Sequence, residues 1–308
     1  MKARRPRSNG DPAVRHSPRE EKGASRRSYV LTLDCPDRVG IVAAVSQFVA
    51  SHGGWILESS HHSDVEGGRF FMRDQILAGS LPFGADGFRE RFEPLARSFS
   101  MTWRLSDASV PKRVVLLVSK EDHCLSDLLH RWRNREMEFE VPCVISNHDA
   151  LRGFVEFHGI PFFHVPVPPE GREAAFRKID ALIAEGRGDC VVLARYMQVL
   201  PGWLTTKYAG RMLNIHHSFL PSFSGARPYH AAYERGVKLI GATCHYVTEE
   251  LDAGPIIDQD VMRVDHGDKV ADMMRLGRDV EKLVLARGVR YHLQDRVIIH
   301  GNKTVVFS

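Results

Sequence analysis

The sequence predicts an α/β protein built as two units: a small ferredoxin-like α+β domain, then a doubly wound, mostly parallel sheet. Three observations predict this. The 308 residues exceed the usual single-domain size, and 43% hydrophobic content is enough for two cores. Residues 28–105 run strand, helix, strand, strand, helix, strand, which is the ferredoxin-like order. Past residue 112 strands alternate with helices, the pattern of parallel strands joined by right-handed crossovers.

In the first unit Tyr29–Leu33 is an apolar strand. Asp37 then leads into a helix expected over Val39–Ser51, apolar at three- and four-residue spacing and stopped by Gly53-Gly54. Trp55–Ser63 and Arg69–Leu77 form a hairpin around Glu66-Gly67-Gly68, and Gly87–Phe99 and Met101–Leu105 add the second helix and last strand. Polar Ser106–Lys112 reads as a linker, leaving 113–308 for the second domain. There the expected order is strand Val114–Val118, helix Leu125–Arg135, strand Val141–Ser146 and a helix about Leu151–Phe157. Strand Phe162–Val165, helix Arg172–Ala184 and strands Cys190–Ala194 and Met212–His216 follow. Ala226-Arg227-Pro228-Tyr229-His230 opens a helix with proline in its first turn, ended by Gly236. Strands Ile240–Val247 and Ile256–Val264, a long helix Val270–His292 and a hairpin turning at Gly301-Asn302 complete the chain.

Composition excludes several classes. The formal charge of +4 suggests a nucleic-acid partner, but residues 1–27 hold nine Lys/Arg against three Asp/Glu, so the rest carries 33 − 35 = −2. The basicity belongs to a Pro-, Ser- and Arg-rich tail with no apolar period, expected to be disordered. No nucleic-acid partner is expected. No apolar run approaches the ~18 residues of a membrane span, so no membrane partner is expected either. Cys35, Cys124, Cys143, Cys190 and Cys244 are scattered, with no Cys-x-x-Cys pair, which fits a reducing, cytoplasmic setting.

The chemical signal lies between Leu213 and Gln259. In the strand Met212–His216, Asn214 and His216 share one face while Ile215 takes the other. A carboxamide beside an imidazole at a strand end points to a reactive cleft at the carboxyl edge of the sheet. Asp252 sits in the loop Glu249-Glu250-Leu251-Asp252-Ala253-Gly254-Pro255 and, taken alone, reads as a turn aspartate. His245 reads equally as a core histidine or as a positioning group. The first crossover, Ser119-Lys120-Glu121-Asp122-His123-Cys124-Leu125, has no glycine, so neither a dinucleotide fingerprint nor a P-loop can form there. Without a His-Glu-x-x-His helix or a cysteine pair, no metal is expected.

Two resemblances add to these readings. Asp34-Cys35-Pro36-Asp37-Arg38-Val39-Gly40-Ile41-Val42 resembles the loop and helix start of the amino-acid-sensing ACT family. That resemblance implies an effector site using Asp34, Asp37, Arg38, Gly40 and Ile41, with methionine or glycine as effector, in a homo-oligomer. Its plainer alternative is that Pro36 and Gly40 only shape a tight turn and close packing. Asn214-Ile215-His216-His217-Ser218-Phe219-Leu220-Pro221, Gly241–Val247 and Leu251–Ile257 resemble the folate-dependent formyltransferase family. The resemblance implies a formyltransferase-type sheet and a catalytic trio of Asn214, His216 and Asp252. Arg195-Tyr196-Met197-Gln198-Val199-Leu200 resembles the family segment that lines the folate pocket. The resemblance therefore also implies a folate pocket lined by Tyr196, Met197, Gln198, Val199 and Leu200, with His217 and His245 beside the substrate, and no cofactor.

Two departures bear on the acceptor. Glycinamide-ribonucleotide formyltransferases carry a glycine-rich phosphate loop after the first catalytic-domain strand and a proline after the histidine. Here stand Lys120-Glu121-Asp122-His123 and His217. The basic carboxyl-terminal domain of methionyl-tRNA formyltransferases has no counterpart after the long helix. Water is the acceptor left, and the expected reaction is hydrolysis of 10-formyltetrahydrofolate to tetrahydrofolate and formate, feeding purine synthesis and balancing the one-carbon pool. The competing readings are a formyltransferase with another acceptor and a non-catalytic amino-acid sensor.

Overall fold

A computed structural model describes residues 27–221 and 228–308. Residues 1–26 and 222–227, which include nearly all of the basic tail and the Ala226-Arg227 helix start, lie outside the described residues. Arg27, assigned to that tail, is described: it pairs with Asp107 at 2.6 Å and its carbonyl accepts from the Ala78 N–H. Arg27 thus belongs with the first unit and not with the tail to which composition assigned it.

The amino-terminal unit is a four-stranded antiparallel sheet, order β2-β3-β1-β4, made of β1 (Ser28–Pro36), β2 (Ile56–Asp64), β3 (Arg69–Leu77) and β4 (Thr102–Asp107). Helices α1 (Ile41–Ser51) and α2 (Ala85–Ser98) cover one face. Ile41, Val45 and Val49 of α1 and Phe88, Phe92 and Ala96 of α2 recur every four residues and pack on Leu31, Leu33, Met72 and Ile76. The first helix begins two residues later than expected, because Gly40 takes φ 98° as its N-cap and Val39 projects fully into solvent. The chain between the units is shorter than the expected linker, since β4 runs to Asp107 and β5 begins at Lys112.

The second unit holds one mixed sheet, ordered β12-β11-β10-β9-β5-β7-β8. In chain order its elements are β5 (Lys112–Val118), α3 (His123–Arg133), β6 (Phe139–Glu140, pairing β5), β7 (Val144–Ser146), α4 (Arg152–Phe157) and β8 (Phe162–His164). Next come α5 (Arg172–Glu185), β9 (Cys190–Leu193), α6 (Gly202–Lys207), β10 (Met212–His216), α7 (Pro228–Arg235), β11 (Leu239–Tyr246), β12 (Ile256–Arg263) and α8 (Val270–Leu293). The strand expected over Val141–Ser146 splits, β6 before it and β7 from Val144, and α6 was not foreseen. Strands β8, β7, β5, β9 and β10 are parallel, β7, β5 and β9 buried on both faces, while β11 and β12 run antiparallel at one edge. The order reverses between β5 and β9, so the crevice at their carboxyl ends is where such a sheet receives a ligand. Hairpin β13 (Val297–His300) and β14 (Lys303–Val306) closes the fold.

The uncovered face of the first sheet rests on the end of α8. Arg73 donates to Gln294 O at 3.1 Å and to Glu58 at 3.0 Å, and Glu58 also binds Arg296 at 3.0 Å. Asp295 accepts from Lys112 at 2.7 Å and from Arg104. No helix among the described residues is long and apolar enough to cross a membrane.

Candidate active site

β10 carries Leu213 and Ile215 into the core beneath α8 and turns Asn214 and His216 to the other face. Antiparallel pairing with β11 then sets His245 directly opposite Asn214, and a bulge between Cys244 and His245 re-aims that strand end. The return loop presses on β11: a Cβ at Gly254 would lie 1.8 Å from Tyr246 O, so only glycine fits. Asp252, in that loop, adopts φ 53°, a left-handed conformation uncommon outside glycine and asparagine.

The result is a compact polar cluster. His216 Nδ1 lies 3.1 Å from Asp252 Oδ2, and its Nε2 lies 2.8 Å from Ser218 Oγ. His245 Nε2 and Asn214 Nδ2 each lie 3.5 Å from Asp252 Oδ1, and they are 3.2 Å from each other. His245 Nδ1 donates to Tyr246 O at 2.9 Å, which fixes the ring and leaves Nε2 facing the cluster. Burial pushes the Asp252 carboxyl up, but hydrogen bonds from His216 and His245 outweigh it and hold the pKa well below the usual carboxylate range. Burial, reinforced by the Arg195 charge, pushes His217 down to about 4, so its imidazole is neutral near pH 7.

These groups line a cavity of about 380 Å³. Its walls bring together Tyr196, Met197, Gln198, Val199 and Leu200 after β9, Asn214 and His216 from β10 with His217 just past its end, and His245 and Asp252. Thr205 of the unforeseen α6 and residues Thr248–Leu251 complete the lining. A larger hollow of about 710 Å³ near Trp132 and Phe157 is lined by no member of this cluster.

The expected effector residues lie in the other unit and are mostly engaged already. Asp34 pairs with Arg69, Asp37 accepts from Ser63, and Arg38 lies 4.1 Å over the Phe99 ring while donating to Ser98 O. Gly40 has open space around it, and Ile41 is buried. The first turn of α1 has no side-chain cap.

Sequence reasoning missed the grouping of Arg195, Tyr229, His123 and Glu281 beside His217, with Arg195 noted only as the first residue of the pocket-lining run and Glu281 not noted at all. Glu281 was findable: it lies on the stripe of Gly277, Val280, Val284 and Leu285 that α8 buries, where a charge requires partners.

The comparisons with known proteins follow the same lines. Residues 112–289 match the formyl transferase family model, which sets the class of the second unit. A formyltetrahydrofolate deformylase of Bacillus subtilis is 47% identical over 279 residues, covering 90% of this chain and 93% of the relative. One from Mycobacterium bovis is 50% identical over 281 residues, 90% of each chain. The crystal structure of a formyltetrahydrofolate deformylase from Pseudomonas syringae pv. tomato superimposes with a TM-score of 0.91 at 61% identity, covering 94% of this chain and 96% of that one. A glycinamide ribonucleotide transformylase from Symbiobacterium toebii shares 30% identity and a TM-score of 0.61, covering 64% of this chain and 95% of its own. The chain belongs to the formyltetrahydrofolate deformylase family.

Proposed function

We infer that Asn214, His216 and Asp252 carry out the reaction of this family in this chain, hydrolysis of 10-formyltetrahydrofolate to tetrahydrofolate and formate. The observation that carries the assignment is the convergence of a carboxamide, an imidazole and an anionic carboxylate at the floor of one cavity, with His216 Nδ1 3.1 Å from Asp252. The pterin and aminobenzoyl parts of the substrate lie along Tyr196, Met197, Gln198, Val199 and Leu200, with the formyl carbon at the trio.

Water attacks that carbon. The oxyanion receives hydrogen bonds from the Asn214 amide and from Nε2 of protonated His216, the ring nitrogen turned away from Asp252. Donation from Nε2 to the formyl oxygen exchanges the Ser218 hydroxyl for a stronger acceptor. Asp252, whose carboxyl is held well below its usual range, pairs with His216 Nδ1 and accepts the proton that water loses as the new C–O bond forms. The proton passes to N10 as the C–N bond breaks, leaving formate and tetrahydrofolate. Neutral His217 and the anchored His245 orient the reacting groups.

The deciding experiment incubates the full chain with 10-formyltetrahydrofolate and no acceptor. Equal amounts of tetrahydrofolate and formate are expected, and substrate turned over only when an amine is supplied would make the chain a transferase. In the same reading the amino-terminal unit serves as an ACT-type sensor in a homo-oligomer. The support is its βαββαβ order and the uncapped first turn of α1, whose N–H groups suit an amino-acid carboxylate.

A further inference from the structure

The mechanism above makes no use of the buried charged cluster behind His217. Glu281, 1% exposed on α8, accepts from Tyr229 Oη at 2.8 Å and lies 2.8 Å from His123 Nε2. Arg195 Nε lies 3.3 Å from the same carboxylate oxygen that His123 meets. Burial pushes the Glu281 carboxyl up, but His123, Arg195 and Tyr229 together hold it below its ordinary value, so it is an anion balanced by the guanidinium. Cys124 completes a His, Cys and Glu grouping of metal-ligand type, but burial pushes its thiol well up and the guanidinium already balances the carboxylate. The cluster serves a purpose other than holding a cation.

Arg195 is the one member of the cluster that lines the catalytic cavity. It stands two residues past the end of β9, with φ 64°, a left-handed conformation that an arginine adopts only when its surroundings impose it. Its Nε and Nη1 are buried and have no hydrogen-bond partner among the described residues. A charged group held under-satisfied at a strained position next to the reaction centre points to a functional constraint. Tyr229 and His123 fix Glu281, Glu281 fixes the guanidinium, and the guanidinium forms the wall beside His217.

We propose that Arg195, anchored by Glu281, determines acceptor specificity: it closes the cleft on the His217 side to amines and leaves room for water alone. The inference rests on the hydrolase reading above. An amine arriving as ammonium meets a fixed cation, and a neutral amine finds both Glu281 oxygens already engaged, so any N–H group turned to that wall, away from Asp252, would be desolvated without an acceptor. Water is small and brings its own acceptor lone pairs.

With the wall removed, an amine would attack the formyl carbon in place of water. The new C–N bond forms, the N10–C bond breaks, and the amine's proton ends on N10. The test uses the full chain with 10-formyltetrahydrofolate and either glycinamide or hydroxylamine, scoring formate against formylated amine. The double variant Arg195→Gly/Glu281→Gln removes both charges together and suits the positive φ; Arg195→Lys keeps the cation. Wild type and Arg195→Lys are expected to yield formate only, and the double variant to raise the formyl-amine fraction at least ~10-fold. Formate as sole product of an active double variant would overturn the proposal, as would a folded variant inactive toward both water and amine. Should the double variant not fold, Glu281→Gln alone, which frees the guanidinium, must raise that fraction or the proposal fails. If wild type releases no formate, it is the hydrolase reading that fails.

Discussion

Asp252 carries three burdens at one position: a strained φ of 53°, hydrogen bonds to two imidazoles, and a pKa held far below the usual range. Asp252→Asn keeps the shape but can neither accept water's proton nor favour a charged His216. It should lower turnover by roughly 100-fold or more while the melting temperature stays within a few degrees; near wild-type turnover would remove Asp252 from the chemistry. His217 supports a second expectation. Its folded pKa of about 4 lies below the ordinary 6.5, so between those values the unfolded chain binds a proton the folded one refuses. The stability this histidine contributes is whole above pH 6.5 and lost as pH falls toward 4. His217→Gln should therefore lose less melting temperature than wild type between pH 7 and pH 5, and parallel losses would show that its titration is not coupled to folding. The legibility of these residues differed. Strand alternation alone put Asn214 and His216 on one face. Asp252 looked like any turn aspartate until the motif resemblance singled it out, because the register that returns its loop to His216 is a tertiary fact. Glu281 stood unremarked among the 38 acidic residues, and Arg195 showed only as the first residue of the pocket-lining run.

At the scale of elements, periodicity and glycine punctuation found most strands and helices, short α4 and β8 among them, and failed at α6 and β6. α6 has six residues and follows a segment that carries its own pocket-lining motif, so no apolar period could announce it. Strand β6, two residues long, is defined by its pairing with β5, which no local pattern encodes, whereas β7 is the carboxyl half of the strand expected over Val141–Ser146. Close contact between elements is likewise invisible locally but testable. α8 lies on β11 through Gly288, where a Cβ would come within 2.4 Å of Cys244 Sγ and 3.0 Å of its Cβ. Cys244 is fully buried one residue before His245, so neither side can yield without moving the strand that holds the cluster. Gly288→Ala gains ~1 kcal/mol of helix propensity, but overpacking should cost ~1–3 kcal/mol, and turnover should fall with it. Calorimetry and a rate measurement on the same preparation would check this. A variant more stable than wild type, with full activity, would mean that the helix shifts freely over the strand.

The whole molecule joins its two units through charge. Asp295, 4% exposed and at φ 52°, holds Lys112 at the start of β5 and Arg104 on β4, while Glu58 bridges Arg73 and Arg296. The path continues inward: Lys112 also donates to His292 O, and the His292 ring meets Tyr246 Oη at 2.9 Å, one residue from His245. None of this was readable from sequence, where Ser106–Lys112 and the end of the long helix were only boundaries. A hydrolase that destroys a one-carbon donor needs a brake. If the amino-terminal unit senses methionine or glycine, the effect on rate is a coupling free energy, typically ~1–3 kcal/mol. It arises because the amino acid binds one arrangement of the units better than another. Binding alone changes nothing. The interface is then the coupling element, and it can be weakened without touching the loop at Asp34–Ile41 or the catalytic cavity. Wild-type hydrolysis should change severalfold with one of the two amino acids. In Arg104→Ala/Glu58→Gln the same amino acid should bind with similar affinity by calorimetry but move the rate much less. Equal modulation in both proteins would place the coupling elsewhere, for instance in subunit assembly. If neither amino acid binds the intact chain, the first unit is an assembly device rather than a sensor.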